Sequence, residues 1–137
     1  MNKYEEFKKY CSSKLDAFPI VFAFSKEQFE LGLKELGVSK EEVFSLGNGG
    51  FIRNSDKKDF FDLLYNFDKI LDENLKDDDF VMHMFRYELS NHEYCISYDD
   101  EEVIRACGLD LGKFNSDENL KKLYEEAKNS YMREVNE

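Results

Sequence analysis

The spacing of apolar residues divides the chain into helical stretches and one short β-rich region. Apolar positions recur every three to four residues, as on one face of a helix, over about residues 2–17, 25–37, 56–76, 79–92, 99–107 and 117–135. One more turn of helix is expected around residues 110–114, whereas residues 94–96 are expected to be extended or irregular. The pattern therefore predicts five to six helices.

Three short runs of β-branched and aromatic residues, at residues 20–24, 43–46 and 51–53, predict strands. Asn48 and Gly49 separate the second run from the third, and this pair favours a tight hairpin turn because both residues tolerate a positive φ. We therefore expect an α+β fold that is predominantly helical, with a small antiparallel β-hairpin or sheet near residues 20–53.

Polar residues at the predicted helix ends support these boundaries. Ser25 and Gln28 have the spacing of a capping box, and Gly37 suits a helix C-terminus because glycine adopts a positive φ without steric cost. Residues 77–79 and 99–102 are runs of Asp and Glu. We interpret both runs as helix starts, where acidic side chains are stabilised, because neither fits the ligand pattern of an EF-hand.

Length and composition indicate one cytoplasmic domain. A chain of 137 residues with 42% hydrophobic residues predicts a single domain over residues 1–137, with residues 1–17 as a peripheral N-terminal helix. The three cysteines are far apart and odd in number, which favours free thiols in a reducing compartment. The chain contains neither an apolar signal core nor a run long enough to cross a membrane.

The net charge of −11 disfavours negatively charged binding partners. Direct binding to nucleic acid is disfavoured because phosphate contacts need clustered Lys and Arg, and an anionic membrane surface is disfavoured for the same reason. A basic patch on a protein partner, or a site normally filled by nucleic acid, suits this charge. The alternative is that the charge serves only solubility.

The most informative stretch lies in the helix predicted over residues 79–92. Val81, Phe85, Glu88 and His92 fall on one face, so two apolar positions are followed by a carboxylate and an imidazole. Buried polar groups need partners, and the pair therefore marks a structural hydrogen-bond cluster or a functional site. Two metal ligands four residues apart on a helix could begin a metal site. A third ligand is not evident, because the other histidine, His83, lies on the opposite side of the same helix. No metal or cofactor is therefore predicted.

Other residues extend this candidate site. Tyr87, Tyr94 and Tyr98 are poorly explained by helical periodicity, and tyrosine is enriched at interfaces. The complete set predicted to bind a partner is Tyr87, Glu88, Asn91, His92, Glu93, Tyr94, Tyr98, Asp99, Asp100 and Arg53. No catalytic residue is assigned, since no nucleophile or metalloprotease motif is present.

Several segments together carry a resemblance to a protein family. They are residues 22–25 with Gln28, Phe29 and Gly32, then residues 49–52, then the motif Y-E-L-x-N-H-E-Y-C at residues 87–95, and finally residues 108–109. Over about residues 18–132 the chain resembles a family of small uncharacterised bacterial proteins found on phages, plasmids and integrated elements. The resemblance implies a mobile-element context. Small acidic proteins of that origin often bind and inhibit a host enzyme, including nucleases of restriction or CRISPR systems.

Three hypotheses of function follow. The first, which we favour, is a non-enzymatic acidic protein that binds a basic patch of a host enzyme, as an anti-CRISPR or anti-restriction inhibitor would. The second is an enzyme or metal-binding protein with a polar site at Glu88 and His92. The third is a structural, self-associating helical module.

Overall fold

The computed structural model describes all 137 residues and confirms a mostly helical α+β fold. The α-helices are α1 (Lys3–Ala17), α2 (Lys26–Leu36), α3 (Lys57–Asn74), α4 (Asp78–Asn91), α5 (Tyr94–Ser97), α6 (Asp100–Ala106), α7 (Leu111–Asn115) and α8 (Glu118–Val135). The strands are β1 (Val21–Phe22), β2 (Val43–Gly47) and β3 (Gly50–Arg53), and short 3₁₀ turns cover Lys40–Glu42 and Asn54–Asp56. None of the helices is both long and apolar enough to span a membrane.

The structure has eight α-helices where five to six were predicted, because two of them are short. One is α7, which corresponds to the predicted turn around residues 110–114. The other is α5, and the expectation that residues 94–96 are extended or irregular was wrong. A single helical turn of four residues is too short to show an apolar period, so the sequence pattern could not reveal it.

The elements divide between two compact units. Residues 8–67 form one, here called the sheet unit, and residues 1–7 with 68–137 form the other, here called the helical unit. Helices α1 and α3 each contribute residues to both units. The single-domain assignment over residues 1–137 stays a prediction, as does the peripheral role of residues 1–17, although Tyr4 of α1 is buried in the helical unit.

The sheet unit contains the predicted hairpin. Its three strands are all antiparallel in the order β1-β3-β2, with Phe44 opposite Ile52 and Val21 opposite Phe51. The turn between β2 and β3 places Asn48 at φ 51° and Gly49 at φ 82°, as expected for a pair that tolerates a positive φ. Strand β1 is shorter than the predicted run of residues 20–24.

Helices cover both faces of this sheet. On one face α2 places Phe29 5.0 Å from Phe51, measured between ring centroids. On the other face α3 places Phe61 6.0 Å from Phe44. Gly32 permits the close approach of α2, because a Cβ at this position would lie 2.6 Å from Val21 and 2.7 Å from Phe51.

The helical unit is built around α4 and α8, whose apolar faces meet in its core. Aromatic rings stack edge-on within this core, with Phe85 5.1 Å from Tyr124 and Tyr4 5.6 Å from Phe80. The predicted helix starts are confirmed at both acidic runs, since Asp77 caps α4 and Asp99 caps α6 with their side chains. Glu88 of α4 is the one charged residue that is fully buried.

Candidate functional site

The polar pair on α4 lies on one helix face, as the sequence predicted. Glu88 is wholly buried, and its carboxylate accepts a hydrogen bond from the hydroxyl of Tyr4. His92 lies one turn further along, with Nε2 3.6 Å from Oε1 of Glu88. Burial and the bond to Glu88 raise the pKa of the Tyr4 hydroxyl, so this hydroxyl remains a donor. The buried carboxylate is therefore anchored to the first helix of the chain.

His92 also contacts a second carboxylate. It follows the last residue of α4, its backbone N–H donates to the carbonyl of Glu88, and its Nδ1 lies 2.9 Å from Oε1 of Glu102 in α6. The imidazole keeps 26% of its surface exposed. His92 therefore connects the end of α4 to the first turn of α6.

A cavity of about 470 Å³ opens on another side of α4. Tyr87 and Asn91 line it together with Arg86, whereas Glu88 and His92 do not. The guanidinium of Arg86 donates to Ser130 at 2.6 Å and lies 2.5 Å from the carboxylate of Glu134. The one arginine in the cavity is thus neutralised from within the protein, and the cavity is separate from the carboxylate–imidazole pair.

Asp100 belongs to an internal hydrogen-bond network. Its Oδ1 accepts from the Tyr124 hydroxyl at 2.6 Å and from Nζ of Lys128 at 3.4 Å. Lys128 in turn lies 5.8 Å from the centroid of the Tyr94 ring. Burial opposes ionisation of Asp100, but the bond from Tyr124 and the charge of Lys128 outweigh it and hold the pKa of Asp100 below its usual value. Tyr94 and Asp100 therefore hold α5, α6 and α8 together.

The single turn of α5 exposes apolar surface. It is flanked by two residues in the left-handed region, Glu93 at φ 48° and Tyr98 at φ 52°, a conformation that costs a non-glycine residue roughly 1–2 kcal/mol. Between them Ile96 is 74% exposed, and Tyr98 itself is 62% exposed. Strain at functional surfaces is a recurrent feature of proteins, so this turn is a candidate binding element.

Nine of the ten residues predicted to bind a partner lie in the helical unit, on α4, on α6 or in and beside α5. Arg53 does not join them: it belongs to the sheet unit, where it donates to Asp56 at 2.8 Å and to the carbonyl of Leu36 at 3.4 Å. Sequence reasoning missed Ile96, because no periodic pattern assigned it, and missed Glu102 as the partner of His92. No group of three or more His, Cys, Asp or Glu side chains is placed to hold a metal ion.

Comparison with known families places the chain in one of them. Residues 3–130 match a family described as a family of unknown function, DUF7659. The chain belongs to this family. The match includes the whole of α1, whereas the resemblance noted in the sequence covered only about residues 18–132. No curated protein and no solved structure matches the chain.

The charge of this DUF7659 chain is divided unequally between its two units. The sheet unit contains nine Lys and Arg and nine Asp and Glu residues, so its formal net charge is zero. The helical unit contains ten basic and 21 acidic residues, and the whole net charge of −11 falls within it. The candidate binding element at α5 thus lies in the acidic unit, directly before the acidic first turn of α6.

Proposed function

We propose that this protein is a non-enzymatic binding protein whose helical unit engages a basic surface of a protein partner. The observation that carries the proposal is the α5 turn, residues 93–99, where exposed Ile96 and Tyr98 stand beside the acidic residues that open α6. Stable interfaces combine an apolar anchor with a polar rim. Here Ile96 and Tyr98 would be the anchor, and Glu93, Asp99 and Glu101 would supply a negative rim.

Charge supports a basic partner. The helical unit carries all of the negative net charge, and complementary charge accelerates association and suppresses wrong partners. Such binding should weaken as salt screens the carboxylates. Together with the resemblance to proteins of mobile elements, this favours a cytoplasmic counter-defence inhibitor that occupies the nucleic-acid-binding surface of a host nuclease.

The enzyme hypothesis has less support. A general base or nucleophile needs room for a substrate within hydrogen-bond reach, yet Glu88 is buried and His92 lies between two carboxylates, outside the adjacent cavity. A structural role explains both residues, since the pair connects α1, α4 and α6. We therefore assign Glu88 and His92 to the scaffold that supports the α5 turn.

Affinity capture from a host lysate tests the proposal, with captured proteins identified by mass spectrometry at low and moderate salt. Ile96→Ser should abolish capture of the specific partner, because it removes the anchor, and Glu101→Lys should weaken capture most at low salt. Glu126→Lys is the matched control, since it reverses a charge on an exposed position of α8 within the same unit. If all three variants retain the partner equally, the α5 turn is not the binding surface. If no captured protein is basic, the argument from charge is wrong.

A further inference from the structure

The sheet unit contains a concave site of its own. Its residues are distant in sequence from the α5 turn, and its charged side chains are basic where those beside the α5 turn are acidic. It is an open groove of about 840 Å³ between the start of α2, the hairpin turn and one face of the sheet. This volume falls in the range of small-molecule sites, about 300–1,000 Å³. Its principal lining side chains are Phe24, Lys26, Phe29, Lys40, Val43 and Phe51.

The floor of the groove is apolar and aromatic. Val43 and Phe51 project from the sheet face that α2 covers, and Phe29 of α2 stacks beside Phe51. At the rim, Phe24 is 77% exposed. Its ring rests on the hairpin turn, because a Cβ at Gly49 would lie only 2.8 Å from that ring. An exposed aromatic ring above an aromatic floor is suited to a flat apolar group.

The charged side chains of the groove are both cationic. Lys26 and Lys40 line it, and no carboxylate does. Neither lysine takes part in a salt bridge or lies over an aromatic ring. Lys26 is also the first residue of α2, where a positive charge is disfavoured by the helix dipole. Two lysines on a groove without a carboxylate, in a chain of net charge −11, indicate complementarity to an anion.

We propose that this groove binds a small ligand that joins an aromatic ring to an anionic group, of the class of nucleoside monophosphates. The base would stack on Phe24 and Phe29, and the phosphate would pair with Lys26 and Lys40. A nucleic-acid strand fits less well, because strand binding needs a track of cations along the backbone and the sheet unit has no net positive charge.

Titration of the ¹⁵N-labelled full chain by NMR tests this inference. The probes are AMP, GMP, CMP and UMP, with adenosine and inorganic phosphate as the two halves of the ligand and a ten-nucleotide oligothymidylate as the polymer. We expect at least one monophosphate to shift the amides of residues 23–29 and 40–51 saturably. Adenosine and phosphate should each bind at least tenfold more weakly than AMP if AMP is that monophosphate.

Two variants and a control sharpen the test. Lys26→Gln combined with Lys40→Gln should weaken binding of the monophosphate at least tenfold, and Phe24→Ser should weaken it severalfold. Lys34→Gln changes an exposed lysine of α2 that does not line the groove and should leave binding unchanged. The amide spectra themselves report whether each variant folds.

Three results would overturn the inference. They are the absence of saturable shifts with every monophosphate at millimolar concentration, affinity unchanged in the double lysine variant, and phosphate binding as tightly as any monophosphate. If the oligothymidylate binds more tightly than any monophosphate, the ligand of the groove is a nucleic-acid strand and not a small molecule. The inference does not depend on the proposed partner of the α5 turn, because neither lysine lies in the helical unit.

Discussion

Removing one hydroxyl group from the core of the helical unit should measurably destabilise the protein. Tyr4→Phe deletes the donor that bonds to the carboxylate of Glu88. Tyr4 is 1% exposed and Glu88 is fully buried, so water cannot readily replace the lost donor. The ring itself remains packed 5.6 Å from Phe80 and from Tyr87, which leaves no large cavity.

The expected loss follows from the kind of bond removed. A hydrogen bond to a charged group contributes about 1.5–3 kcal/mol net. Because the carboxylate stays buried after the donor is gone, we expect Tyr4→Phe to lower the free energy of unfolding by about 2 kcal/mol, roughly a thirtyfold change in the folding equilibrium. Glu88→Gln keeps the shape but leaves Tyr4 a neutral acceptor, so a double-mutant cycle reports only the part of the bond that depends on the charge of Glu88, about 1 kcal/mol.

Urea unfolding, monitored by far-UV circular dichroism, measures these losses. If the free energy of unfolding depends on urea concentration with the same slope in each variant, only stability has changed. Tyr98→Phe is the control, because its ring is exposed and its substitution should change stability by less than about 0.5 kcal/mol. A similarly small loss in Tyr4→Phe, or strictly additive effects of Tyr4→Phe and Glu88→Gln, would refute the view that Tyr4 sustains the buried carboxylate.

Two further predictions concern single side chains. Gly32→Ala should destabilise the sheet unit by about 1–3 kcal/mol in urea unfolding, because the added methyl overlaps Phe51, and a gain of stability from helix propensity would contradict this. The lowered pKa of Asp100 means that its ionised carboxylate stabilises the folded protein. This stabilisation is complete above the pKa of an Asp in the unfolded chain, about 3.9. It is lost as the pH falls through the lower pKa that Asp100 has in the folded protein. Tyr124→Phe removes a donor to Asp100 and should therefore move the carboxyl pKa upward in a ¹³C NMR titration, whereas an unchanged pKa would remove Tyr124 as a cause.

Local features of this fold were predictable from the sequence. The capping by Ser25, the C-terminal glycine at residue 37 and the Asn48-Gly49 turn all occur as expected. Each of these features depends on residues within four positions of one another, the range over which periodicity and capping act. The same reasoning placed Glu88 and His92 on one face of α4.

Tertiary structure alone decided the partners of these residues. Glu88 bonds to a tyrosine 84 positions away, and His92 contacts Glu102 ten positions away across a turn. The separation of Arg53 from the other candidate residues and the concentration of charge in the helical unit also emerged only from the fold. The physical reason is that apolar spacing specifies which face of an element is buried, whereas the group that meets a buried polar atom depends on how distant elements pack.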